Sequence, residues 1–152
     1  MTDEISYLLK KICSRETADY PIIEMEKLIG FGERAVAPII DSLKRENGCS
    51  EPEDDLPLLV MLGEIRSPAA IAILIEYLKN VEHEVYAAIA CESLAKIGAP
   101  SLPALRAIVE TEKNSIVRLY SYGALGYMKT ADAHDLLLKR LGADKKLVNV
   151  IA

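Results

Sequence analysis

The chain has 152 residues, of which 51% are apolar and 27% are charged, and its net charge at neutral pH is −5. This length and apolar content suffice for one domain with a buried core and exclude wholesale disorder. The acidic balance disfavours a nucleic-acid partner, since such binding depends on Lys and Arg displacing counterions. No apolar run reaches the roughly 20 residues of a membrane span, and the acidic residues 1–5 do not resemble a secretory signal.

The three cysteines, Cys13, Cys49 and Cys91, are an odd number at wide spacing. This pattern predicts neither a disulfide framework nor a zinc site. We therefore expect a reduced, cytoplasmic protein with no metal and no cofactor.

The first predicted element is an amphipathic helix within residues 2–14. Its apolar side chains, Ile5, Leu8, Leu9 and Ile12, follow helical spacing. We expect this helix to cap the end of whatever follows it.

A short pattern then recurs four times, and it reads Leu, two spacers, an apolar residue, then Gly or a long cation. The leading residues of the four copies, Leu28, Leu62, Leu94 and Leu125, are separated by 34, 32 and 31 residues. A fixed period in this range is typical of a solenoid, whose units bury their apolar faces against their neighbours. The predicted units span residues 17–46, 52–79, 82–111 and 114–142, within a single domain 1–152.

Each unit is predicted to be a pair of helices joined by a tight turn. In the third unit, Gly98 ends the first helix and Pro100 opens the second, as the conformational preferences of Gly and Pro favour. Arg66 stands in the Gly position of the second unit. In the first unit, Pro38 predicts that the second helix starts only at about residue 36.

Four carboxylates gather ahead of the second unit, at Glu51, Glu53, Asp54 and Asp55. They lack the alternating ligands and central Gly of a calcium loop. Capping of the following helix N-terminus is the stronger interpretation.

Residues 144–152 are predicted to begin one more short helix. Either this helix docks on the last unit or on a second copy of the chain, or the chain is one piece of a longer array. We favour the docked helix.

The residues Val117, Arg118 and Ser121, followed by 124–126, resemble the V-R-x-x-A-x-x-A-L-G core of HEAT-like repeats. Residues 98–105 also resemble the turn and second helix of that family, and its short phycobilisome-lyase-type branch is the nearest match. The resemblance covers roughly residues 17–142 and implies an all-α fold: an α-solenoid of about four helical hairpins with an N-terminal capping helix and a short C-terminal helix.

The resemblance also implies function. HEAT-like solenoids are mainly protein-interaction scaffolds, so we expect a non-catalytic scaffold or adaptor. The alternative is a bilin (tetrapyrrole) lyase-like protein or chaperone, and a third reading is a HEAT-like DNA glycosylase. The chain shows no phosphate-binding Gly loop, no nucleophile elbow and no dinucleotide fingerprint.

Two surfaces are candidate binding sites. The resemblance implies that second helices line a concave face, where the expected contact residues for a protein partner are Asp41, Glu76, Tyr77, Arg106 and Lys139. Ordinary solvated helix positions are the alternative for each of them. A second interface, with a partner or a second copy of the chain, is predicted at Tyr120, Tyr122, Tyr127, Leu147, Val150 and Ile151. For the tyrosines, packing between first helices is an alternative of equal weight.

Overall fold

The computed structural model describes residues 2–14, 20–44, 55–80 and 82–144, and these ranges contain helices and no strand. The predicted all-α class is confirmed. The helices are α1 (Thr2–Cys13), α2 (Ile22–Gly30), α3 (Glu33–Leu43), α4 (Asp55–Ile65), α5 (Ile71–Lys79), α6 (Glu84–Ile97), α7 (Leu102–Thr111), α8 (Ser115–Tyr127) and α9 (Ala131–Leu141).

The helices after α1 form four successive pairs. The first helices of the pairs, α2, α4, α6 and α8, stack side by side. The second helices α3, α5 and α7 each pack on the first helix of the next pair, and α9 packs on α8. Helix α1 covers α2 and α3. This arrangement is the predicted solenoid, in which each unit contacts its neighbours in sequence. The predicted C-terminal helix lies outside the described residues.

The structure confirms that the Gly position of the repeat lies in the tight turn between the two helices of a unit. Gly32, Arg66 and Gly98 all have a positive φ, of 58°, 59° and 78°, and Arg66 is the one non-Gly residue in the described ranges that does. Pro68 and Pro100 then open short 3₁₀ turns that lead into α5 and α7. A left-handed residue followed by a proline therefore separates the two helices of the second and third units.

The predicted late start of α3 is wrong. The helix begins at Glu33, and Pro38 lies inside it. Proline at this position removes one backbone hydrogen bond, the one to the Arg34 carbonyl. The flanking Val36 and Ile39 are buried in the core, and their burial outweighs that loss.

The first helices approach each other closely through small side chains. Gly63 of α4 lies against Ser93 of α6, whose hydroxyl donates to the carbonyl oxygen of Leu59 at 3.0 Å. Gly123 of α8 lies against the thiol of Cys91. Among the second helices in the described ranges, only α7 and α9 are in appreciable contact.

The cysteines depart from the sequence-based expectation. Cys13, at the end of α1, is disulfide-bonded, whereas Cys91 is a free, buried thiol. The expectation that the chain contains no disulfide is wrong, so cysteine spacing no longer supports a reducing compartment. No helix in the described part of the chain has the length and apolar character needed to span a membrane.

Candidate functional site

The charged residues predicted as a binding surface lie on the four second helices, one on each helix. Asp41 of α3, Glu76 of α5, Arg106 of α7 and Lys139 of α9 are all exposed. None of the four forms an ion pair with another described residue. The acids occupy the first two second helices and the cations the last two, so the charge reverses along the row. We call these four residues the second-helix row.

Tyr77, the fifth predicted contact residue, is half-buried and packs against the core. Its hydroxyl donates to the Asp55 carboxylate at 2.6 Å, and its ring meets that of Tyr86 edge-on at a centroid distance of 6.1 Å. Asp55 is itself buried, with 2% of its surface exposed. These contacts fix the half-buried side chain of Tyr77, which is next to the exposed Glu76 in the sequence.

Asp55 begins α4, where a carboxylate complements the helix dipole as predicted. The other three carboxylates of that cluster, Glu51, Glu53 and Asp54, lie outside the described residues. Asp55 also lines an open cavity of about 440 Å³ with Lys44, Glu76 and His83.

The tyrosines predicted as an interface differ in their exposure. Tyr127 is 68% exposed, Tyr120 is half-buried and Tyr122 is buried. Burial raises the pKa of both Tyr120 and Tyr122. The remaining members of that predicted interface, Leu147, Val150 and Ile151, lie outside the described residues.

Arg118 forms the most buried ion pair of the described chain. Its guanidinium donates from Nε and Nη2 to the two carboxylate oxygens of Asp144, at 2.6 and 3.1 Å. Nη1 donates to the carbonyl oxygens of Glu112 and Lys113. Donation of these hydrogen bonds to Asp144 raises the pKa of Arg118. The pair lines a second open cavity of about 440 Å³, and its satisfied geometry assigns it to holding the fourth unit together.

The same repeat position, seven residues before the leading Leu, carries different side chains in successive units. It holds Asp55, Ala87 and Arg118, and all three are buried. A ladder of like polar residues is therefore absent from the second to the fourth unit. Each buried charge instead has its own partner, Tyr77 for Asp55 and Asp144 for Arg118.

Reactive groups are sparse around these cavities. Burial, with a smaller contribution from Glu92, raises the pKa of Cys91 to about 12, and its thiol donates to the Tyr120 carbonyl oxygen at 3.1 Å. A thiol held protonated in this way is a poor nucleophile. Within the described ranges, no three His, Cys, Asp or Glu side chains are placed to hold a metal ion together.

Comparison with known proteins gives one match. Residues 52–122, from just before α4 into α8, match the family model described as HEAT repeats. The match does not show whether the chain belongs to the short phycobilisome-lyase-type branch of these repeats. No curated protein matches the chain at a significant level.

Proposed function

Since this chain carries HEAT-like repeats, we propose that it is a non-catalytic adaptor that binds a protein partner through the second-helix row. HEAT repeats generally mediate protein–protein interaction. The proposal includes no cofactor and no nucleic-acid partner. It keeps the cytoplasm as the compartment in which the partner is sought.

The observation that carries the proposal is the unpaired, exposed state of the row. Asp41, Glu76, Arg106 and Lys139 keep their charges in solvent although the chain pairs others across units, as in Arg140 with Glu110 and Lys96 with Glu64. A row that reverses its charge complements a partner segment with cations facing α3 and α5 and carboxylates facing α7 and α9. Such complementarity sets specificity and association rate.

The test is affinity capture from a native lysate, followed by measurement of the dissociation constant for the captured protein. Wild type is compared with the charge reversal Glu76→Lys/Lys139→Glu, which leaves the net charge unchanged. The matched control is Glu4→Lys/Lys10→Glu, because both residues are exposed on α1 and the control makes the same exchange of charges.

We expect the row variant to bind at least tenfold more weakly and the control to bind like wild type. Circular dichroism confirms that all three proteins are folded. Equal binding by the row variant would refute the row as the site. Loss of binding in both variants would show a general charge effect and equally contradict it.

A further inference from the structure

The first helices carry a recurring pair of apolar positions, which we call the band. It is exposed or half-buried on α2, α6 and α8, whereas on α4 Leu56 is half-buried and Pro57 is buried. Counted back from the leading Leu of each unit, the sixth and fifth preceding residues are apolar or aromatic in every unit. These eight residues are Ile22 and Ile23, Leu56 and Pro57, Ala88 and Ile89, and Leu119 and Tyr120.

Several members of this band are exposed. Ile22 and Ile23 are 57% and 65% exposed, and Leu119 is 38% exposed. One turn earlier, Val85 and Ile116 occupy a common repeat position, nine residues before the leading Leu, and are 62% and 40% exposed. Spacings of three and four place these residues on one face of each helix. Contiguous apolar surface of this kind marks interaction sites.

The band is continuous between the last two first helices. The Cys91 thiol of α6 donates to the Tyr120 carbonyl oxygen of α8, and a β-carbon on Gly123 would lie 3.4 Å from the same sulfur. The charge of Glu84 also acts on Tyr120. Helices α6 and α8 thus present their apolar stripes side by side.

The band has an acidic border. Glu26 and Glu92 follow it by one turn on α2 and α6, and Glu84 precedes it on α6. Glu92 and Glu64 share a single cation, Lys96. The described first helices therefore expose four carboxylates against one lysine, namely Glu26, Glu64, Glu84 and Glu92 against Lys27, while Lys96 is half-buried.

We propose that this band binds an amphipathic helix of a partner protein, with an apolar stripe flanked by Lys and Arg. An apolar strip about two residues wide on each helix matches the stripe of such a helix. The acidic border attracts basic flanks and disfavours an anionic membrane surface. This surface lies on other helices than the second-helix row and does not depend on it.

The test uses a fluorescein-labelled 18-residue helical peptide with a Leu stripe flanked by Lys, and a second peptide with Glu in place of every Lys. Fluorescence anisotropy at low and physiological salt gives the dissociation constants. We expect wild type to bind the Lys peptide at least tenfold more tightly than the Glu peptide. Val85→Gln/Leu119→Gln should weaken binding of the Lys peptide at least tenfold, and Glu26→Gln/Glu84→Gln should lower its salt dependence.

The matched control is Leu138→Gln/Leu141→Gln, because these residues expose 73% and 39% of their surface on α9, a second helix. It should bind the Lys peptide like wild type. No binding by wild type, equal binding of the two peptides, or an equal loss in the control would each overturn the proposal. Because the second-helix row variant keeps the band intact, it should still bind the Lys peptide. Failure of one surface is thus distinguished from failure of the other.

Discussion

Gly63 of α4 lies directly against Ser93 of α6. A β-carbon on Gly63 would come within 2.5 Å of the Ser93 hydroxyl oxygen and 2.8 Å of its Cα. The Cα belongs to the backbone of α6, so the clash cannot be relieved by a side-chain rotation. The interface between the second and third units therefore depends on a residue without a side chain.

We predict that Gly63→Ala destabilises the protein by about 1–3 kcal/mol, the usual cost of overpacking a buried contact. Urea denaturation followed by circular dichroism measures the change. Gly30→Ala is the matched control, since a β-carbon added at Gly30 would meet no other atom within 4 Å. Alanine there should be neutral or stabilise the end of α2 by up to about 1 kcal/mol. A Gly63→Ala protein as stable as wild type would contradict the close approach.

Arg66 and Lys129 occupy the same repeat position but have different backbones. Arg66 has a φ of 59°, and Lys129 does not share the positive φ. The left-handed conformation costs a non-Gly residue about 1–2 kcal/mol. A Gly at the same position avoids this cost, but its greater freedom in the unfolded state cancels about half of the gain in stability. We predict that Arg66→Gly stabilises the protein by about 0.5–1 kcal/mol, whereas Lys129→Gly destabilises it by a similar amount.

Thermal and urea unfolding of the two variants measure the expected gain of stability in one and the expected loss in the other. Arg66→Ala separates backbone strain from loss of the side chain, since Ala keeps the strain and should gain nothing. Equal effects of Gly at positions 66 and 129 would contradict the conformational difference between the two turns.

Because the thiol of Cys91 is buried, we predict that the folded protein loses stability at alkaline pH. Burial raises the pKa of its thiol from 9.0 to about 12. Below pH 9 the thiol is protonated in both states; above pH 9 only the unfolded state releases the proton, and this favours unfolding until pH 12. At 1.36 kcal/mol per pKa unit, the folded state should lose about 2 kcal/mol from this group between pH 8 and 10.5.

Urea denaturation at both pH values measures this loss, and Cys91→Ala should show about 2 kcal/mol less of it than wild type. The comparison cancels the titration of Tyr and Lys, which both proteins share. Iodoacetamide at pH 8 should label Cys91 only in denaturant, and mass spectrometry of its peptide reads this directly. Rapid labelling of the folded protein would show that the thiol is not buried.

The fold could be predicted because each repeat contains residues that mark where its helices begin and end. The spacing of Leu28, Leu62, Leu94 and Leu125 located the helical pairs, and Gly98 and Pro100 located the turn between two of them. Pro38 misled because a local rule about proline was outweighed by the burial of its neighbours. Arg66 shows the same effect, since a tight turn imposed by packing gives it a conformation usually reserved for Gly.

The candidate site could be predicted less well. Helical periodicity was enough to expect Glu76 and Lys139 on the surface. The hydroxyl contact of Tyr77 with Asp55 joins residues 22 positions apart, and no local pattern reports such a pairing. Helical spacing identifies the apolar residues of the band, but spacing alone does not say whether a neighbouring helix covers them.

The buried charge of Arg118 means that the fourth unit of this chain cannot take the place of another unit. A permuted chain with the fourth unit, residues 114–142, in the place of the second would bury the guanidinium of Arg118 without Asp144. Asp55 would keep its partner in any such exchange, because Tyr77 belongs to the same unit. Burying an uncompensated charge costs several kcal/mol, which is a large part of the stability of a small domain. The buried ion pair of Arg118 therefore fixes the place of the fourth unit in the chain, although every unit is a similar pair of helices.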